Sequence, residues 1–420
     1  MKMPQNRRIF LKNSALLSLG TSMPLFACNN AKTGEAGNDL NDIMKAEVIN
    51  RKQFSTPLII EKVELLRFKN NFLCRVRTSD GAEGLSVSNN MQMVSLYPIF
   101  INRIQPFFIG KDARDIESLI EEVYVYQSNY KLQSLALWIP VATIEFAILD
   151  LLGRVAGMSI GEVIGTIQNK NIAVYRANNF RGRTAEESIE HIRRNVENSK
   201  AKALKFKVGG RMRNNRDEPP GRTEALIPLV RETFGDEMTI YADSNGSYTV
   251  DEAIRIGKIL EEYAVDFYEE PVPFDWYEET RKVADTLKIP IAGGEQEGSL
   301  HQFKWLIEND ALQIVQPDIF YFGGMIRSTR VAKMAASLGK DCTPHISGSG
   351  LGYLYMLHFV STLTNPGPFH EFKGFNSEIP FECKTSDLST NNGIVSVPSG
   401  PGLGVDIDPE YIAKHQVVLI

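Results

Sequence analysis

The stretch Ala203-Leu204-Lys205-Phe206-Lys207-Val208 decides how this sequence folds. It reads as a short strand, in which alternate side chains share a face, so Leu204 and Phe206 point one way while Lys205 and Lys207 point the other way together. On an exposed sheet two such lysines are simply a solvated face. Here the stretch is one of eight apolar or β-branched runs, at residues 172–176, 203–208, 238–242, 266–268, 290–292, 312–315, 341–343 and 369–370, separated by amphipathic segments. Strands alternating with helices indicate repeated βα units and a parallel sheet. Eight units predict a closed (β/α)₈ barrel of the TIM type, with both lysines inside it. Thr184 with Glu187 and Thr249 with Glu252 each match the capping box that opens a helix, which marks two of the crossovers.

The texture differs on either side of this repeat. Residues 58–66, 72–77 and 84–87 alternate apolar and polar around Asn70-Asn71 and Asp80-Gly81, the pattern of a small antiparallel meander. Residues 101–165 switch to helical period, with Ala142, Phe146, Ala147 and Leu151 on one face of a segment that must be largely buried. The sequence after Phe372 is rich in Pro, Gly and Asp and lacks βα texture. The fold class expected is therefore α/β: a modified barrel over residues 171–371, and an α+β capping domain over 57–170 completed by a C-terminal segment, 372–420, packing back on it.

At 420 residues, 43% hydrophobic and 23% charged, the chain can bury a large core and has room for two such domains. A net charge of -5 and the absence of a long basic run leave no electrostatic footprint for nucleic acid. Arg7-Arg8 before Phe10-Leu11-Lys12, an apolar stretch from Ala15 to Ala27, and Cys28 after Leu25-Phe26-Ala27 read as a twin-arginine signal running into a lipobox over residues 1–28. Residues 29–56 would be a flexible tether, and the mature body an exported periplasmic or membrane-anchored lipoprotein held through Cys28, touching a membrane only by that anchor. No later segment reads as a spanning helix. Cys74, Cys342 and Cys383 are too few and scattered for a thiolate cluster.

On this frame one ionisable residue emerges per βα unit at the carboxyl end of each strand. Lys207, Asp243, Glu269, Glu295, Asp318, His345 and Glu371 follow at separations of 36, 26, 26, 23, 27 and 26 residues. Those ends converge on one mouth, where barrel active sites lie. Helix capping could account for any one of these residues but not for the same edge of seven successive strands. Asp243, Glu269 and Glu295 would repel one another unless a cation neutralised them, and an all-oxygen set suits a hard ion such as Mg²⁺. Lys205 and Lys207 should depress each other's pKa, leaving one able to act as a base. Asp318 on one imidazole nitrogen would make His345 a second acid/base across the mouth. The charges balance: three carboxylates and Mg²⁺ leave one negative charge, protonated Lys205 cancels it, and neutral Lys207 leaves room for an anion whose charge grows during reaction.

These residues resemble the enolase superfamily, and within it the mandelate racemase/muconate lactonizing branch. The matching stretches are residues 106–112, Asp150-Leu151-Leu152-Gly153, Lys205-Phe206-Lys207, Asp243-Ser244-Asn245, Glu269-Glu270-Pro271, Gly294-Glu295, Gln316-Pro317-Asp318 with Gly323-Gly324, Pro344-His345, and 401–405. Each string is weak alone; their order and spacing are specific. The resemblance implies one Mg²⁺ held by Asp243, Glu269 and Glu295, with proton abstraction next to a carboxylate to give an enediolate stabilised on the metal. It implies Lys207 as base on one face and the His345–Asp318 dyad as acid/base on the other. Lys205, Glu371 and Asn245 would address the substrate, and capping-domain loops near residues 86–93 and 105–111 would close over the mouth. Residues 209–222, carrying Arg211, Arg213 and Arg216, are longer than the family pattern, either a solvated loop or a second anion contact.

A base on each face permits racemisation, epimerisation or cycloisomerisation, and equally permits dehydration. For an exported enzyme without an apolar site, dehydration of a small-molecule sugar acid by a homo-oligomer is the expectation. A lipid-anchored protein that only binds acid sugars is the reading of another class; acid/base groups on both faces argue against it.

Overall fold

The computed structural model describes residues 39–374 and 378–419. The twin-arginine stretch and Cys28 lie outside the described residues. Three antiparallel strands, β1 (Ile60–Phe68), β2 (Asn71–Thr78) and β3 (Glu83–Val87), form the expected meander. Helices α1 (Asn90–Ile99), α2 (Ile116–Val125) and α3 (Ser134–Ala156) complete the capping domain. Helix α3 corrects the expectation that no later segment could span a membrane: its length and composition pass that test. Yet every residue from Leu137 to Gly153 is buried, so it is a core helix that is apolar all round because protein surrounds it. Its Asp150 accepts from Leu85 N at 2.9 Å and from Leu403 N at 2.8 Å, tying the meander to the C-terminal segment.

Part of the expected tether is folded. Leu40, Ile43, Met44, Ile49 and Phe54 are buried, and Val48 N and Ile49 N donate to Glu117 on α2. Those five apolar side chains among the polar ones give residues 39–56 a reason to dock.

The barrel strands are β4 (Asn171–Ala177), β5 (Ala203–Lys207), β6 (Thr239–Asp243), β7 (Phe267–Glu269), β8 (Ile291–Gly293), β9 (Ile314–Val315), β10 (Asp341–Cys342) and β11 (His370–Phe372). Between them run α4 (Ala185–Ser199), α5 (Arg222–Phe234), α6 (Val250–Glu262), α7 (Tyr277–Thr286), α8 (Leu300–Glu308), α9 (Met325–Ser337) and α10 (Gly352–Ser361). All neighbours in the order β10-β9-β8-β7-β6-β5-β4-β11 are parallel, and the eighth strand pairs with the first. The seam between β10 and β11 is crossed by a bridge from Cys342 to Pro366. At the mouth Ile346 closes the seam, its N–H donating to Glu371 at 3.1 Å and its carbonyl accepting from Lys373 at 2.8 Å. After the barrel, β12 (Phe381–Glu382) pairs with β14 (Asp406–Ile407), β13 (Ile394–Ser396) pairs antiparallel with β4, and β15 (Gln416–Val417) adds to the edge of β1.

Alternation inside the barrel builds the site in layers. Leu204, Phe206, Ile240, Ala242 and Tyr268 face the surrounding helices. Tyr175, Ala203, Tyr241, Phe267 and Ala292 fill the interior, with Tyr241 and Phe267 stacked at 3.8 Å. Register sets Lys205 beside Tyr241, and one layer higher Lys207 beside Asp243 beside Glu269. The aromatic layer is thus the floor on which the charged layer stands.

The Thr184–Glu187 capping box is present. The one expected at Thr249 and Glu252 is not: Asn215 accepts from Thr249 N at 2.8 Å and donates to Thr249 Oγ1 at 3.1 Å, while Glu252 pairs with Arg255. A nearer partner from residues 209–222 displaces the local motif.

Candidate active site

Asp243 and Glu269 are the last residues of their strands, not the first beyond them, and Glu371 is the middle residue of β11. Lys205, Lys207, Asp243, Glu269, Glu295, Asp318 and Glu371 are all buried, and His345 keeps 13% of its side chain exposed at the mouth.

Each of the three carboxylates expected to hold a metal meets a cation. Lys207 Nζ contacts Asp243, Lys205 Nζ lies 2.7 Å from Glu269, and His345 Nε2 lies 3.2 Å from Glu295. Lys205 also lies 3.6 Å from Asp243 and 3.9 Å from Glu371. Burial opposes its charge, but Glu269, Tyr175, Glu371 and Asp243 raise its pKa well above the usual lysine value. The mutual depression expected of the two lysines is therefore outweighed at Lys205, which stays protonated. Burial also works against Asp243, yet Lys207, Lys205 and Arg181 hold it below the usual carboxylate range. Glu371 is likewise held low, against burial, by Lys373, Lys205 and His345.

The remaining acids are crowded together out of water, which disfavours their charged forms. Burial and the charge of Asp243 push Glu269 up to about 7. Glu270, buried beside Glu295, Asp243 and Glu269, is raised further, first by burial and then by those charges. Glu270 Oε1 has no hydrogen-bond partner among the described residues, and Glu295 Oε2 is held by no hydrogen bond beyond its ion pair with His345 Nε2. No three His, Cys, Asp or Glu side chains among those residues are gathered for an ion as they stand. Even so, crowded buried carboxylates, with Glu270 Oε1 left without a partner, fit a hard divalent cation, and Asp243, Glu269 and Glu295 are the groups that would hold it.

On the other side of the mouth, Asp318 Oδ2 lies 2.6 Å from His345 Nδ1. Burial disfavours the imidazolium, but Glu295, Glu371 and Asp318 push His345 up to about 9. Two strands, β11 and β4, separate the strands that carry His345 and Lys207, so the two groups approach the acidic cluster from different sides.

Asn245, expected to meet substrate, is engaged by protein. Its Oδ1 accepts from Lys207 Nζ and from Arg181 Nη1, each at 3.1 Å. Of the two loops expected at the mouth, 105–111 is held by β1, through Gly110 N to Ile60 O at 2.7 Å and Gln105 to Val63 O at 2.7 Å. Residues 86–93 do reach the mouth, where Asn89 donates to Ser347. Arg211, Arg213 and Arg216 are exposed, with Arg213 3.7 Å from Glu218.

Sequence reasoning missed Glu270, Arg181, Lys373 and Gln316, whose amide donates to Glu269 at 2.9 Å. Glu270 and Lys373 had a signal, adjacency to Glu269 and alternation with Glu371. Arg181, on the loop after β4, had none.

A barrel mouth with a lysine and a histidine–aspartate pair facing one carboxylate cluster is equipped to move protons at a bound acid. Residues 187–411 match the family described as enolase C-terminal domain-like, and residues 63–165 match the mandelate racemase/muconate lactonizing enzyme N-terminal domain. The chain belongs to the mandelate racemase/muconate lactonizing branch of the enolase superfamily and is an enzyme of lyase or isomerase type. It is 26% identical to an arabinonate dehydratase of Saccharolobus solfataricus, over 79% of this chain and 87% of that one. It is 27% identical to a D-galactarolactone cycloisomerase of Agrobacterium fabrum, over 74% and 82%. A mandelate racemase/muconate lactonizing protein of Paracoccus denitrificans, solved with magnesium, superposes with a TM-score of 0.77 at 26% identity over 86% of this chain and 99% of that one.

Proposed function

We propose that the enzyme dehydrates a sugar acid. The observation that carries this reading is the approach of Lys207 and His345 to one acidic cluster from two sides. Lys207 takes the proton α to the substrate carboxylate. Lys205, held protonated, offsets the negative charge that grows there. His345, with Asp318 on Nδ1, delivers a proton from Nε2 to the departing β-hydroxyl, which leaves as water and yields a 2-keto product after tautomerisation. A Mg²⁺ held by Asp243, Glu269 and Glu295 would supply Lewis-acid stabilisation of the carboxylate. The arabinonate dehydratase relative supports a sugar acid as substrate. The cycloisomerase relative favours a second reading, in which His345 serves an intramolecular elimination after the same first step.

A panel of sugar acids followed by proton NMR in D₂O with Mg²⁺ tests this. Loss of the α-proton signal with a 2-keto product supports dehydration. Exchange with an inverted or rearranged product moves the assignment to epimerase or cycloisomerase. Binding without exchange refutes catalysis. We also propose export and lipid anchoring at Cys28, supported by Arg7-Arg8 and the apolar run before Cys28; release of a Cys28→Ala variant from membranes is the expected outcome.

A further inference from the structure

The carboxylate of the dyad is held by more than its histidine. Asp318 Oδ1 accepts from Phe320 N and Tyr321 N at 2.8 Å and from Ser347 Oγ at 3.1 Å. Its Oδ2 takes His345 Nδ1 and, at 2.7 Å, Ser347 N. Ser347 Oγ in turn accepts from Asn89 Nδ2 at 2.8 Å, across 258 residues of sequence. Asn89 is 2% exposed and is the N-cap of α1, its Oδ1 accepting from Gln92 N at 3.3 Å. One buried amide therefore uses its acceptor to start the capping-domain helix and its donor to hold a hydroxyl that touches the dyad.

We propose that Asn89 and Ser347 are positioning residues. They fix the plane of the Asp318 carboxylate, and through it the His345 imidazole, so that the acid is aligned while α1 is seated at the mouth. A carboxylate or imidazole needs such outer partners because each hydrogen bond alone leaves a rotation free. Lys207 has no hydrogen bond to this chain of groups, so the relay governs one side of the reaction only. The inference rests on the dehydratase reading for its kinetic consequence, but not for its geometry.

Two variants separate the relay from mere folding. Asn89→Asp keeps the oxygen that caps α1, at a position where Asp caps as well as Asn, and removes the donor to Ser347. Ser347→Ala removes the hydroxyl and keeps the backbone N–H on Asp318. In the Mg²⁺-loaded enzyme, both should lower 2-keto product formation roughly tenfold or more while α-proton exchange stays within about twofold of wild type. Ser347→Thr should restore the product rate. The proposal fails if product formation and exchange fall together, or if neither falls. Should wild type exchange no α-proton of any acid, the dehydratase reading fails, and the relay is then judged on the ¹⁵N-histidine NMR spectrum. There the His345 Nδ1–H resonance, identified by its loss in His345→Asn, should shift or broaden in Asn89→Asp and Ser347→Ala; a resonance that stays put in both overturns the relay.

Discussion

Glu145 of the capping domain and Gly324 of the barrel fit so closely that a β-carbon on Gly324 would lie 1.2 Å from Glu145 Oε2. Helix α9 begins just beyond Gly324 without a side-chain cap of its own, and Glu145 supplies one from α3, accepting from Met325 N and Ile326 N at 2.9 Å each. A carboxylate at a helix N-terminus meets unpaired N–H groups and the positive end of the helix dipole. Gly324 also has φ +113°, outside what a side chain tolerates. Gly324→Ala should therefore cost at least about 3 kcal/mol, the upper end for overpacking, read as a lowered urea midpoint. In the double variant with Glu145→Ala the loss should be smaller than the sum of the single losses, because the two side chains no longer collide.

The crowded carboxylates predict how the protein responds to metal. Glu269, Glu270 and Glu295 lie buried together, with Glu270 Oε1 orphaned and Glu295 Oε2 meeting only His345, so an added divalent cation should bind the folded state and relieve the crowding. Mg²⁺ at a hundred times its dissociation constant should raise stability by about 2.7 kcal/mol by linkage, seen as a higher melting temperature. EDTA should reverse this and abolish turnover. In Glu295→Gln the melting temperature should respond little to Mg²⁺.

Lys207 and His345 should fail differently when removed. In the proposed mechanism Lys207 is the acceptor of the α-proton on its side, so Lys207→Met should lose exchange and product together, by about 10²-fold or more. His345→Asn leaves the contact between Lys207 and Asp243 in place. It should retain exchange in D₂O while losing product by a similar factor. Equal loss of exchange in both variants would remove the assignment of the two groups to separate sides.

The barrel was legible because its strands alternate helix-facing and inward residues, and because one ionisable residue recurs at each carboxyl edge. Strand ends were less so. With only two residues in β9 and β10, hydrogen bonding sets the boundary and hydrophobic pattern does not. For the same reason Glu371 moved from beyond its strand to within it. Thr249 with Glu252 looks identical in sequence to Thr184 with Glu187, and only the approach of Asn215 tells them apart. Arg181 reaches Asn245 across 64 residues, and Asn89 reaches Ser347 across 258. No local pattern encodes such pairs, because each exists only once the chain has folded. The charged layer was readable since its members share a register; the groups that orient it come from loops.

His358 supplies a pH test independent of the mouth. It lies on α10, fully buried, with Nε2 3.0 Å from Leu403 O and Nδ1 without a partner among the described residues. Burial lowers its pKa to about 4, against the smaller opposing pulls of the Leu403 carbonyl and Glu162. The unfolded chain takes up this proton near 6.5 and the folded chain only near 4, so below 6.5 the unfolded state binds more protons and gains. Stability should be unaffected by His358 above pH 6.5 and fall progressively as pH drops to 4, by up to about 3 kcal/mol at 1.4 kcal/mol per pH unit. His370, also lowered by burial, to about 3, adds its own loss over the same range. His358→Gln keeps an amide donor for the Leu403 carbonyl and removes the titration. Its urea midpoint should therefore fall less steeply than that of wild type between pH 6.5 and 4, while the slope left by His370 persists; parallel curves for the two proteins would show that His358 titrates normally.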